Sequence, residues 1–545
     1  MSFSPKGITH RPTVTGRRGM VSSAHPLASV AGLRILMEGG NAIDAAVATA
    51  AALNVVEPYM SGIGGDGYMH IYHSGTGDHQ ILDYMGLSPK ATTLDAFDSE
   101  EAHKRGPKTP LIPGACGGWL AALERYGTMD AGTVFAPAIE YAEQGFAVTV
   151  KNAAFIDFNR PALLEHSPAA QSYLINGQSP KPGQVIVQAD LAATFRKVAQ
   201  DGADVFYRGE IAERMINHLQ STGGLMTMED LAEFTPIWHE PIHTTYRGHR
   251  IYAPPPPCQG IEFLETLNIL EGFDIGLMGH NTAQTLHKVI ETIKIGIADR
   301  AEFIALENPP TSGLLSKGYA AEQRKRIEYN ARPTGGDRYT KSKALNEVVA
   351  GNPYDWLNSE CTTHFDVVDE QGNAVAVTQS LGGGFGSAVV IPGTGVALNN
   401  FIYWFDRNPD SPNAIGPSKK IEMCMSPVQI WDDDGLRTLI GTPGSYGILQ
   451  TTPQMIMNLI DHGMNIQAAI EAPRLTVTAP GYGVNIESRV SESVLTELML
   501  QGHQFNRLGD WSALVGGGQG IMIDPETGSF MGGADPRRDG YAIGW

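Results

Sequence analysis

Cysteine is scarce: four residues, at 116, 258, 361 and 424, are spread over 545 positions with neither a CxxC pair nor zinc-ligand spacing. That argues against a disulfide framework and against a structural zinc module. Positive charge is also short. The 39 Lys and Arg against 58 Asp and Glu leave a formal charge of −19, which disfavours nucleic acid or an anionic membrane as main partner. Long apolar runs are missing as well. The stretch from Met1 to Pro12 holds nothing resembling a signal peptide, so a cytoplasmic address is the expectation. The Ala-rich run from Ala42 to Val56 is interrupted by Asp44, Thr49 and Asn54 and reads as a packed helix, not a membrane span. What remains, 42% hydrophobic and 18% charged residues, suits a globular protein with one large core or two to three domains.

The most informative stretch begins at Cys361-Thr362-Thr363-His364. Two apolar-rich runs, His364–Val368 and Ala374–Ser380, flank Asp369-Glu370-Gln371-Gly372-Asn373, and a three-residue loop with Gly last is a common hairpin connection. If Asp369 pairs with Asn373, counting backwards along both strands places Thr362 opposite Ser380, so that two hydroxyls meet on one face. A threonine hydroxyl is a weak nucleophile unless a base adjoins it, and a freed α-amino group on the same residue can be that base. Such chemistry requires a cut between Cys361 and Thr362.

Elsewhere the chain alternates helical and strand signals. Asn41 with Asp44 caps the Ala42 helix. Ser61-Gly62-Ile63-Gly64-Gly65-Asp66-Gly67 lacks the Gly-Lys-Ser/Thr ending of a phosphate loop and reads as a tight turn before a strand over Tyr68–Tyr72. Pro254 to Pro257 form a stiff connection into a helix starting near Ile261, and residues 332–360 read as an exposed polar segment. A second hairpin is expected over Val428–Trp431 and Arg437–Ile440. After it, Gly441-Thr442-Pro443-Gly444-Ser445 leads into a helix from about Tyr446 to Ile460, and backbone N–H groups at such a turn suit a developing oxyanion. His239-Glu240-Pro241-Ile242-His243 matches H-E-x-x-H, but Pro236 and Pro241 break the helix that a zinc site would need.

Taken in order, these pieces resemble the γ-glutamyltransferase family of N-terminal-nucleophile hydrolases. The resemblance rests on Gly39–Ala46, Glu57-Pro58 with Ser61–Gly65, Met226–Leu231, Pro254–Pro256, Thr362-Thr363-His364, Leu398-Asn399-Asn400, Met425-Ser426-Pro427 and Ala534-Asp535-Pro536-Arg537, and covers nearly the whole chain. It implies an α/β (α+β) fold, a four-layer αββα sandwich, made as a proenzyme and self-cleaved into a large fragment 1–361 and a small fragment 362–545. By the same resemblance Thr362 would be the nucleophile, Ser380 would stand where the family has a second threonine, and Gly444 with Ser445 would form the oxyanion loop. No metal or organic cofactor is implied. The partners are a small-molecule amide and the two fragments themselves, with the oligomeric state left open.

The family's grip on a γ-glutamyl group is missing. Met85 stands at the place of the arginine that binds the α-carboxylate, Phe401 and Trp404 replace the acidic or amide residues that hold the α-amino group, Gly382 replaces an Asn, and Met423-Cys424 replace two serines. Unpaired charges of a zwitterionic substrate would cost about several kcal/mol in such a site, so a more apolar acyl pocket is expected. The expected function is an amidohydrolase or acyltransferase working through a threonyl ester, of the acylase or oxamate-amidohydrolase kind. A γ-glutamyltransferase or glutathione hydrolase with a rewired pocket, and a non-catalytic processed scaffold, are the alternatives.

Overall fold

Small side chains let the run after Asn41 pack tightly, and helix Ala42–Val56 is buried at every position. Its start is held by a reciprocal cap: the Asn41 side chain accepts from the Ile43 and Asp44 N–H groups, and Asp44 accepts from the Asn41 N–H at 2.9 Å. The computed structural model describes residues 9–167, 172–306, 308–327, 331, 361–478 and 483–545, so the polar segment expected over 332–360 lies outside the described residues.

Two seven-stranded sheets, antiparallel throughout, form the centre. The first runs Tyr541–Gly544, Gly19–Ser23, Cys361–Asp369, Ala374–Gly382, Asp66–His73, Asp78–Asp83, Ile237–His239. The second runs Val14–Gly16, Phe530–Ala534, Gln519–Ile523, Gly435–Gly441, Val428–Asp432, His249–Ala253, Ile242–Tyr246. Segments from both sides of residue 361 therefore interleave within each sheet, as expected of one folding unit.

The sheets meet through Met20, Val368, Ala374 and Ala376 on one side and Leu439, Ile521 and Phe530 on the other. Strand alternation turns Phe365 and Val367 the opposite way, onto the Ala42–Val56 helix, and each such buried side chain contributes about 1.5–3 kcal/mol. Helices Pro26–Met37 and Ala131–Gln144 complete that outer layer. On the far side, Gly260–Leu270, Ala283–Phe303 and Gly447–Ile460 cover the second sheet. The order helix, sheet, sheet, helix is the expected αββα sandwich.

None of the four buried cysteines is in a disulfide. His239 ends one strand and His243 lies in another, so the H-E-x-x-H residues share no helix face. Among the described residues no helix is long and apolar enough to cross a membrane.

Candidate active site

The hairpin at 361–382 has the turn its sequence predicts. Gly372 takes φ 82°, a conformation that favours glycine, and the Asp369 carboxylate accepts from the Gln371 and Asn373 N–H groups at 3.0 and 2.9 Å. The counted register holds from Val368–Ala374 up to Thr363–Gln379, then shifts, so that Cys361 pairs with Gly382. The irregularity falls on Thr362 itself, in keeping with the tendency of bulges to re-aim a side chain next to an active site.

Thr362 Oγ1 donates to Ser380 Oγ at 3.4 Å, and Ser380 Oγ in turn donates to the carbonyl oxygen of Cys361 while accepting from the Gly382 N–H at 2.8 Å. With the Cys361–Thr362 bond intact, Thr362 carries a peptide nitrogen and no free amine. It is 4% exposed, buried in the strand.

Strand alternation sorts the neighbours. On the inter-sheet face, His364 contacts Thr378 Oγ1 at 2.9 Å and the Asp366 carboxylate at 3.1 Å. Burial pushes the Asp366 carboxyl up, and His364 works against that shift. On the helix face, Thr363 Oγ1 donates to Glu57 at 3.4 Å, and burial raises the Glu57 carboxyl to about 8 despite the nearby Arg538.

The strand Gly435–Gly441 ends in the turn 442–446 and leads into helix Gly447–Ile460. Gly444 has φ 128° and Ser445 φ 54°, so the latter is an L-residue held in the left-handed region. Thr442 Oγ1 accepts from the Gly517 N–H at 2.9 Å and ties the turn to the neighbouring loop. That loop is braced by a fully buried ionic group. Asp535 pairs with Arg474 at 2.7 Å and Arg537 at 3.0 Å, and Arg537 pairs with Glu487 at 2.6 Å. Burial alone would raise the Asp535 carboxyl, but the two guanidinium groups hold it at about 2. Asp535 also accepts from the Gly518 N–H at 2.9 Å, and Arg474 donates to the Val515 carbonyl at 3.0 Å.

A cavity of approximately 660 Å3 opens beside this turn. Gly444, Ser445 and Trp404, expected from the sequence, line it, together with Gly383 and Asn400. Thr362 and Ser380 do not line it; Gly383, the residue that follows the strand Ala374–Gly382, does. Gly382 backs onto the cavity, since a Cβ there would meet Asn400 Oδ1 at 2.2 Å and Trp404 at 3.1 Å.

The apolar pocket expected from Met85, Phe401, Met423 and Cys424 is not what lines this space. All four pack into the hydrophobic cluster under the second sheet, because each is apolar and can be buried without a partner. The cavity wall instead carries Lys104, Arg105, Arg300 and Arg538, with Glu101 as its one carboxylate. Sequence reading missed these cations. Arg538 directly follows the Ala534–Arg537 motif and could have been noticed there, whereas Arg105 has no local signal.

Elsewhere, His287, Glu291 and His503 lie with ligand atoms within 4.8 Å of one another. His287 contacts His503 at 2.8 Å and Lys294 neutralises Glu291 at 2.7 Å, so the group is internally paired.

Stacked sheets between helices, with a Thr-Thr-His strand running through their centre, define a hydrolase of the N-terminal-nucleophile type. The chain belongs to the gamma-glutamyltranspeptidase family, whose sequence model matches residues 28–545. It is 37% identical over 547 residues to the acylase ACY 1 proenzyme of Pseudomonas sp. (strain SE83), covering 97% of this chain and 94% of that protein. It is 36% identical to the glutathione hydrolase proenzyme of Bacillus subtilis (strain 168), covering 97% and 92%. The solved structure of cephalosporin acylase from Bacillus halodurans superposes with a TM-score of 0.88 at 33% identity, covering 100% of this chain and 99% of that one.

Proposed function

We propose that this chain is a self-cleaving amidohydrolase of the acylase kind, with Thr362 as nucleophile. In this reading it divides into fragments 1–361 and 362–545, which stay together because both sheets draw strands from each. The new Thr362 α-amino group would take the proton from its own Oγ1, which attacks the amide carbonyl. The Gly444 and Ser445 N–H groups would hold the oxyanion. A threonyl ester would then pass its acyl group to water or an amine.

The observation that carries the reading is the run of contacts Thr362 Oγ1, Ser380 Oγ, Cys361 carbonyl. It joins the candidate nucleophile to the very bond that must break. Relatives named acylase and cephalosporin acylase support the acylase choice, and the absence of the family's glutamyl contacts at Met85, Phe401, Trp404, Gly382, Met423 and Cys424 supports an acyl group other than γ-glutamyl. The test is a panel of γ-glutamyl, glutaryl, oxamate and apolar acyl amides, read by amine or ammonia release. Preferred turnover of the γ-glutamyl amide at low concentration would overturn the acyl reading, and no turnover of any amide by cleaved protein would favour the scaffold.

A further inference from the structure

His287 and Glu291 stand one helical turn apart on Ala283–Phe303, and His503 meets them from the turn that follows helix Glu492–Leu500. Positions four apart share a helix face, so the first two side chains leave the helix on one side. All three residues are buried. His287 Nδ1 contacts His503 Nε2 at 2.8 Å, while the other nitrogen of His503, Nδ1, is buried with no hydrogen-bond partner among the described residues. Whichever ring carries the shared proton, His503 Nδ1 is left as an unpaired donor or an unpaired acceptor. At 4% exposure such a group requires a further partner, a water or an ion. Burial, Lys294 and His287 push the His503 imidazole down to about 3, so it is neutral, the form that ligates a metal.

We propose that His287, Glu291 and His503 form a binding site for a divalent transition-metal ion of the zinc class. Two imidazoles and a carboxylate suit such an ion, whereas calcium and magnesium take sets of oxygen ligands. The ion would replace the proton that the two rings share. Lys294 holds Glu291 Oε1 at 2.7 Å, which orients the carboxylate but sets an ammonium charge against the ion, so Lys294 competes with it. The entry path lies at Gly502, which is exposed beside His503. His287 and Glu291 belong to segment 1–361 and His503 to segment 362–545, so the ion would clasp the two outside the central sheets. The site does not depend on cleavage; its role as a clasp rests on the division proposed above.

The test is calorimetric titration of zinc chloride into purified, chelator-treated protein, with thermal midpoints read in zinc and in EDTA. Wild type should bind zinc at this site and melt at a higher temperature in its presence. His503→Ala and His287→Gln should each weaken that binding by at least about 100-fold, the upper end of what loss of a mere outer partner costs, and should lose the thermal shift. Lys294→Met should tighten binding by about 10-fold, because it removes a charged hydrogen bond that competes for Glu291. If one histidine variant does not fold, the other together with Lys294→Met decides the matter. Zinc binding unchanged in the histidine variants would place the ion on other histidines and overturn the proposal, as would no binding by wild type and Lys294→Met. In dilute denaturant, zinc should hold the two fragments together on gel filtration in wild type and not in His503→Ala. A chain that never cleaves would remove only this last arm, with the titration still deciding the site.

Discussion

The Ser380 hydroxyl is hydrogen-bonded to the carbonyl oxygen of Cys361, the carbonyl that the peptide bond to Thr362 carries. That contact polarises the one bond whose breakage frees a threonine amine, and Thr362 Oγ1 lies 3.4 Å from the same hydroxyl. In the proposed self-cleavage, attack by Thr362 Oγ1 on this carbonyl would form an ester as the C–N bond breaks, the hydroxyl proton passing to the departing nitrogen. Water would then hydrolyse the ester and release the Cys361 carboxylate.

Wild-type protein should accordingly resolve on a denaturing gel into fragments 1–361 and 362–545, and Thr362→Ala should remain one chain. Ser380→Ala should still cleave, but about 100-fold more slowly, the loss expected for one donor to a developing oxyanion. A time course of cleavage with mass determination of the small fragment checks both. A wild-type chain that stays intact would end the nucleophile assignment.

Glu57 gives a pH signature. Its carboxyl stands at about 8 in the fold against an ordinary 4.5, because burial disfavours the charged form. The folded protein thus keeps a proton that the unfolded chain releases, and the resulting stabilisation is fully present below about pH 4.5 and lost as the pH rises to about 8. Glu57→Gln cannot ionise and removes this dependence. Thermal midpoints measured from about pH 5 to about pH 8 should show wild type losing ground to the variant. A wild type that gains on the variant over that window would mean that Arg538 keeps Glu57 ionised.

The hairpin was legible because its turn chemistry is local: Asp369, Gly372 and Asn373 set the loop, and alternation did the rest. The shift at Thr362 was not, since it depends on how Gly382 turns away beneath Asn400 and Trp404, which come from another segment. The helix at Ala42 and its Asn41–Asp44 cap were likewise local. The cavity was the opposite case. Reading it by the family's positions showed what Met85 and Phe401 lack, but the cations on its wall include Arg105 and Arg538, which come from loops far apart in the chain and meet only in the fold. Apolar residues at former contact positions simply joined the core.

The ionic group at Asp535 should be a stability element that also positions the active-site turn. Its partners Arg474 and Arg537 are fully buried, and while Arg537 keeps Glu487, removing the carboxylate strands the Arg474 guanidinium, a change that costs about 3–5 kcal/mol. Asp535→Asn should lower the denaturant midpoint accordingly and, through the Gly518 and Val515 contacts, slow turnover more than it changes KM. Equilibrium denaturation with kinetics on the surviving folded fraction separates the two effects. A variant as stable as wild type would show that the network is neutral in the fold.

Ser445 supplies the sharpest local test, because strain and chemistry make opposite demands on it. At φ 54° an L-residue pays roughly 1 kcal/mol that glycine does not, and the Ser445 hydroxyl is buried without a hydrogen-bond partner among the described residues. If only its backbone N–H works in the turn, Ser445→Gly should hold kcat within about threefold and raise stability by about 1 kcal/mol, less what the freer unfolded chain takes back. Ser445→Val, β-branched at a positive φ, should force the turn open, destabilise the protein and lower kcat by about 100-fold as the N–H loses its aim. A large fall in kcat for Ser445→Gly with stability intact would place the hydroxyl itself on the substrate, and the strained conformation would then be the means of aiming it into the cavity.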